Sequence, residues 1–159
     1  MEPFAILAAT LDYPMYIVTT RDDREQAGCL VGFSTQCSID PPRFLACLSK
    51  ANRTERVAER ADVLVVHLVE AGGRQLAELF GGETGDDVDK FAGVDWQPGP
   101  GGAPVLADCP RWFAGRILER VDLGDHVGYL LDPFEGEAEA AGAFLTFQAV
   151  RTIEAGHPA

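Results

Sequence analysis

Basic residues are scarce in this sequence, which carries 13 Lys and Arg against 25 Asp and Glu over 159 residues. The formal net charge is −12 at pH 7. A surface this acidic repels the phosphate backbone of nucleic acids and the headgroups of anionic lipids. We therefore expect neither nucleic acid nor a membrane as a partner.

Long apolar runs and a basic leader are also missing. The longest apolar stretches, residues 4–9 and 63–66, fall far short of the roughly 20 residues that a membrane-spanning helix needs. The first four residues, Met-Glu-Pro-Phe, lack the basic region with which a secretory signal begins. We expect a cytoplasmic protein.

Several chemical motifs are absent. The four cysteines, at positions 29, 37, 47 and 109, form no CxxC pair, which argues against a zinc ribbon or a thioredoxin-like site. There is no GxGxxG turn between a strand and a helix, no GxxxxGK[ST] loop, no GxSxG elbow and no HExxH pair. We expect no metal site and no doubly wound nucleotide-binding fold.

The sequence does contain enough apolar residues, 47%, for one folded domain over residues 1–159, with 154–159 as a loose tail. Segments rich in β-branched and aromatic residues predict seven strands, at 16–20, 28–33, 43–48, 63–68, 112–121, 126–131 and 144–153. The nearly continuous apolar run at 43–48 predicts burial on both faces. Short helices are predicted at 4–11, 52–60 and 72–80, and polar loops at 34–40 and 132–142. Because most strands follow one another directly, we predict a mainly β protein with short helices and an antiparallel barrel.

The polar segment from Ser49 to Thr54 follows a predicted strand and begins a predicted helix. The N–H groups of a helix start, the Asn52 amide and the Lys50 ammonium are groups that can bind an anion. Four basic residues fall between positions 50 and 60 of this acidic chain. The segment is either an ordinary capped helix with solvated basic residues or a phosphate site.

The segment from Gly28 to Pro42 combines glycines with a row of hydroxyl and amide side chains. Gly28 and Gly32 allow close approach of the backbone to another group, and Ser34 and Thr35 add hydroxyls. This pattern suits the edge of a flat ligand with a polar rim. A strand end followed by a Pro-Pro turn explains the same residues equally well.

Two histidines lie on predicted strands. His126 follows Asp125 in a glycine-flanked turn, where a carboxylate can orient an imidazole for positioning a substrate or donating a proton. A structural role is the alternative for His126. His67, on an apolar strand, is predicted to be packed in the core.

Six short motifs occur in a characteristic order along the chain, and together they span roughly residues 14–133. They are Tyr13-Pro14 with the strand after it, Ser38-Ile39-Asp40-Pro41-Pro42, Cys47-Leu48-Ser49-Lys50, Leu76-Ala77-Glu78-Leu79-Phe80, Asp89-Lys90-Phe91 and Gly124-Asp125-His126. In order and spacing the sequence resembles the flavin reductase-like family, whose fold is the FMN-binding split barrel.

The resemblance implies an NAD(P)H-dependent flavin reductase that passes a hydride from NADH or NADPH to FMN, or alternatively FAD. It further implies a homodimer with the flavin near the subunit interface and a partner oxygenase or another acceptor for the reduced flavin. His126 would lie near the nicotinamide of the reductant. The cofactor-binding residues implied are Leu30, Val31, Gly32, Ser34 and Thr35 at the flavin ring or ribityl chain, Cys47 beside them, Ser49, Lys50, Asn52 and Thr54 at the phosphate, and Phe80 over the cofactor.

Two positions depart from the family pattern. Leu30 stands where the family often has Thr, and Gly32 stands where it often has Ser or Asn, so two polar contacts to flavin are missing. This departure favours an alternative hypothesis, a non-enzymatic flavin-binding or electron-carrier protein on the same fold. An acidic interaction domain without a ligand is the third hypothesis.

Overall fold

The computed structural model describes residues 1–82 and 88–153 of the chain. Within them the elements are α1 (Glu2–Thr10), β1 (Tyr16–Arg21), β2 (Gln26–Val31), β3 (Ser34–Ser38), β4 (Arg43–Ser49), α2 (Arg53–Ala58), β5 (Val63–Leu68), α3 (Arg74–Gly82), β6 (Trp96–Pro98), β7 (Pro104–Leu106), β8 (Trp112–Asp122), β9 (His126–Glu137) and α4 (Phe147–Val150), with 3₁₀ turns at Lys90–Gly93 and Pro100–Gly102. The predicted loose tail at 154–159 lies outside the described residues.

Seven strands form one antiparallel sheet in the order β2-β1-β5-β8-β9-β4-β3. The two strands at its opposite edges, β2 and β3, are joined by only two residues, Gly32 and Phe33. The sheet must therefore curl until its edges meet at this link. Between β2 and β3 the described part of the sheet stays open, so the barrel is split rather than closed. The predicted antiparallel split barrel with short helices is confirmed.

The two larger of the three apolar cores among the described residues pack on opposite faces of the curled sheet. The first fills its inside and includes Val18, Leu64 and Tyr129. The second lies outside β1 and β2, beneath α3 and α4, and includes Ile17, Phe80 and Val150. The helices are thus needed to cover the outer face of the sheet near its β2 edge.

The strand β4 alternates instead of being buried on both faces, so that prediction was wrong. Phe44, Ala46 and Leu48 are buried, while Cys47 and Ser49 on the other face are half-buried. Small and polar side chains on the outer face leave room against the sheet, and this face is where the candidate site lies.

Three further predictions were wrong. The predicted loop at 34–40 contains the edge strand β3, whose polar residues pair with β4. The predicted loop at 132–142 begins with the second half of β9, which pairs with β8 as far as Glu137 opposite Trp112. The predicted strand at 144–153 makes only two isolated bridges, Phe144 to Glu70 and Thr146 to Pro14, before it turns into α4. In each case a long-range partner decides the conformation.

None of the helices in the described ranges is both long enough and apolar enough to span a membrane.

His67 is packed as predicted and joins three strands. Its ring is fully buried, with Nδ1 2.9 Å from the carbonyl oxygen of Ile17, and its Nε2 accepts the N–H of Leu106 at 3.0 Å. Both contacts are satisfied only in the neutral ring that carries its hydrogen on Nδ1. Burial lowers the pKa of His67 from 6.5 to about 4.

We predict that His67 makes the protein less stable as the pH falls from 6.5 to about 4. In this window the unfolded chain takes up a proton that the folded chain excludes, so up to about 3 kcal/mol of unfolding free energy is lost. Urea unfolding at several pH values should show this slope in the native protein and a shallower one in His67→Gln. Parallel pH profiles for the two proteins would contradict the prediction.

Candidate functional site

A cavity of about 490 Å³ lies at the link between the two sheet edges, on the outer face of β4. Its floor is formed by the end of β2 with Gly32 and Phe33, and by Cys47 and Ser49 of β4. Its walls come from α1, from the end of α3, and from the C-terminal segment that contains α4. The split in the sheet thus opens directly onto a concave, largely apolar surface.

The cavity brings together eight of the twelve site residues that the sequence predicted. They are Leu30, Val31, Gly32, Cys47, Ser49, Asn52, Phe80 and His126. They come from β2, β4, α3, β9 and the two short connections after β2 and β4, so residues up to 96 positions apart in the chain share one surface. Their functional roles stay predictions.

The other four predicted residues do not line this cavity. Ser34 lies opposite the buried Ala46, and its Oγ is the buried side-chain polar atom without a hydrogen-bond partner in the described structure. Thr35 is exposed and donates to the Gln36 carbonyl at 3.0 Å. Lys50 donates to Asp122 at 2.8 Å, and Thr54 is buried in α2. Their assignment to flavin also stays a prediction.

Ser49 and Asn52 form the polar end of the cavity. Asn52 caps α2, with its side-chain oxygen accepting the N–H of Thr54 at 2.9 Å. The Ser49 hydroxyl oxygen accepts the N–H of Ala51 at 3.2 Å, so its own O–H can still donate.

The backbone N–H groups around this polar end already have partners. Those of Lys50, Asn52 and Glu55 bond to carbonyl oxygens at 2.9 to 3.2 Å. The sequence interpretation relied on such groups being unpaired at the helix start. An anion at this end would instead be bound by side chains.

His126 lies beside Ser49 on the same face of the sheet, because the two residues are directly opposite in the pairing of β4 with β9. Its Nδ1 is 2.7 Å from a carboxylate oxygen of Asp125. The hydrogen bond to His126 is the main reason that the pKa of Asp125 is lowered. An ionised carboxylate only accepts, so Asp125 fixes the ring orientation and keeps the hydrogen on Nδ1.

Three aromatic rings that the sequence-based prediction left out of the site continue from His126 across the cavity. Phe33 lies 5.1 Å from the His126 ring, Tyr13 lies 6.4 Å from Phe33, and Phe147 stacks on Tyr13 at 4.9 Å. We call Phe33, Tyr13 and Phe147 the aromatic row. The motif at Tyr13-Pro14 gave a signal for the first of them, but the predicted strand at 144–153 concealed Phe147.

Tyr13 also explains the glycine at position 32. A Cβ atom at Gly32 would lie 2.8 Å from the Tyr13 ring, closer than any side chain tolerates. A side chain at this position would therefore have to displace the Tyr13 ring. The missing polar side chain at this position is replaced by an aromatic surface.

Several known proteins are similar to this chain in sequence. The chain is 34% identical over 118 residues to the FMN reductase (NADH) RutF of Bradyrhizobium diazoefficiens, covering 74% of this chain and 65% of that protein. It is 29% identical over 130 residues to the stachydrine N-demethylase reductase subunit Stc3 of Rhizobium meliloti, covering 79% and 55%. The chain thus spans less than two thirds of the length of either relative.

The structure superposes on that of the NADH:FAD oxidoreductase SgcE6 of Streptomyces globisporus with a TM-score of 0.82 and 23% identity, covering 98% of this chain and 88% of that one. This likeness shows the fold. The family model for the flavin reductase like domain matches residues 8–151, and with it nearly every element described above. The chain belongs to the flavin reductase-like family.

Proposed function

We propose that this chain is an NAD(P)H-dependent flavin reductase, which transfers a hydride from NADH or NADPH to FMN or FAD. The observation that carries the proposal is the cavity at the split in the sheet, which joins an apolar floor, a polar end and an oriented histidine. FMN and NADH are the preferred pair, because the relative from Bradyrhizobium is named an FMN reductase (NADH).

The cavity fits a flavin in size and in chemistry. Its volume of about 490 Å³ lies in the range of roughly 300–1,000 Å³ that is typical of small-molecule sites. Leu30, Val31 and Phe80 offer apolar surface to a planar ring. Ser49 and Asn52 offer neutral hydrogen-bonding groups to the polar chain or phosphate.

The residues of this chain would act by binding and orientation. The redox chemistry would come from a bound flavin, which can accept a hydride and pass its electrons to a further acceptor. His126, fixed by Asp125 and beside Ser49, would position the nicotinamide next to the flavin site. The apolar walls would exclude water from the reacting groups.

We also propose a homodimer, supported by the surface of α1. None of its residues is buried, and Phe4, Ile6 and Leu7 are more than half exposed. Ala8 and Ala9 of the same helix line the cavity, so a second subunit on α1 would help to enclose the ligand.

The acceptor of the reduced flavin is proposed to be a partner oxygenase. The relative from Rhizobium meliloti is named a reductase subunit of a demethylase, which supports a partner of this kind. A cytoplasmic location is proposed too, since all four cysteines are free thiols, which suits a reducing compartment.

The second candidate function is a flavin-binding electron carrier without reductase activity. Leu30 and Gly32 favour it, because neither side chain can hydrogen-bond a flavin. The two candidates share the cavity and differ in whether a nicotinamide nucleotide reacts there.

We predict that the purified protein oxidises NADH or NADPH only when FMN or FAD is present, as followed by the loss of absorbance at about 340 nm. A stable flavin complex that neither nucleotide reduces would favour the electron carrier. Failure to bind either flavin would reject both candidates.

We predict that His126→Ala slows flavin reduction by the nicotinamide nucleotide about tenfold or more, because a positioning contact is lost. The dissociation constant of the flavin should stay within about twofold, since this ring is assigned to the other ligand. Stopped-flow reduction and flavin titration measure the two quantities. A collapse of flavin binding would show that the role of His126 is misassigned.

We predict that Ser49→Ala weakens FMN binding about fivefold, the loss expected for one hydrogen bond, and leaves riboflavin binding unchanged. Lys50→Ala should have the smaller effect, because its ammonium must leave Asp122 to reach the cavity. Fluorescence titration of both variants with both flavins compares the residues. A larger effect at Lys50 would instead support its direct contact with the phosphate.

A further inference from the structure

Arg151 is the one residue with a permanent charge among the described residues that line the cavity. It lies at the end of α4, in the C-terminal wall, where the sequence predicted a strand. The predicted cation of the site, Lys50, is held by Asp122 away from the lining. The positive charge of the cavity thus comes from a different part of the chain.

The guanidinium of Arg151 has no carboxylate within 4.0 Å in the described part of the chain. It donates instead to a neutral group, the side-chain oxygen of Gln148, at 3.1 Å. Several other cations of this acidic protein have a carboxylate partner, as Arg43 has Asp132 and Arg111 has Glu70. A guanidinium has five N–H donors, so most of those of Arg151 remain available to a ligand.

The backbone that carries Arg151 is held on both sides. Gln148 donates from its amide to the carbonyls of Ala9 and Leu11 at 3.1 and 2.7 Å, which ties α4 to α1. On the other side, Arg74 of α3 donates to the Ala149 carbonyl and to the Thr152 hydroxyl. These contacts fix the position of the Arg151 backbone at the cavity rim, while its side chain remains exposed.

We propose that Arg151 binds a phosphate group of a nucleotide held in this cavity. The inference rests on the proposed function, which brings two phosphate-bearing ligands, a flavin nucleotide and a nicotinamide nucleotide, to the same surface. A planar guanidinium pairs with phosphate through two parallel N–H···O bonds, and one without a carboxylate partner at a cavity rim is suited to this contact. The neutral groups of Ser49 and Asn52 leave the charge to be met by Arg151.

The test is equilibrium binding to Arg151→Gln, using ligand pairs that differ in their phosphates. FMN against riboflavin tests the flavin phosphate, and NADH against reduced nicotinamide riboside tests the pyrophosphate with its attached adenosine. For at least one phosphate-bearing ligand the dissociation constant should rise about tenfold, with its phosphate-free counterpart unchanged. Arg151→Lys keeps the charge but loses the planar pair of N–H donors, so it should recover only part of the affinity.

Arg24→Gln is the matched control, because it removes the same charge from the exposed turn between β1 and β2. The proposal is overturned if Arg151→Gln and Arg24→Gln bind all four ligands alike. It is also overturned if Arg151→Gln weakens the phosphate-free ligands as much as the others, or if the native protein binds none of the four. Binding without turnover contradicts the proposed reductase activity but still decides the role of Arg151.

Discussion

The two-residue link between β2 and β3 is the constraint on which the rest of the structure depends. It joins strands at opposite edges of a seven-stranded sheet, so the sheet has to curl until those edges meet. The Phe33 carbonyl accepts the N–H of Cys47 at 2.9 Å, which fixes the link against β4. Because the edges meet without pairing, the outer faces of β2 and β4 form a concave surface. The candidate site is a consequence of how the barrel is closed.

The helices hold this surface open to a ligand by packing outside the sheet. The buried Lys90 donates to the carbonyls of Gly28 in β2 and Phe80 in α3, both at 3.0 Å, and so fastens α3 to the strand. A Cβ atom at Gly81 would lie 2.7 Å from the Leu30 side chain, which shows how closely the two elements approach. The apolar wall of the cavity is therefore packed as part of the second core.

Much of the fold could be predicted because it is encoded locally. The β-branched runs of β1 and β5 and the cap at Asn52 carry their own signals, and the ordered motifs identified most of the cavity floor. What failed depends on long-range contacts. The polar edge strand β3 exists only because β4 pairs with it, and α4 is positioned by α1 and α3. Ser49 and Lys50 are neighbours in sequence, yet only Ser49 faces the cavity, because Lys50 follows the end of the strand and turns to Asp122.

The charged residues likewise have contacts in the folded chain that their positions in the sequence do not reveal. The sequence has its densest group of bases between positions 50 and 60, and Lys50, Arg53 and Arg60 of this group form ion pairs within the described structure. Lys50 pairs with Asp122, Arg53 with Glu25, and Arg60 with Asp22, so the last two tie α2 to the turn between β1 and β2. A local excess of bases in an acidic chain can thus serve the fold. A cation is available to an anionic ligand when it borders a cavity and lacks a carboxylate partner, and in the described structure Arg151 meets both conditions.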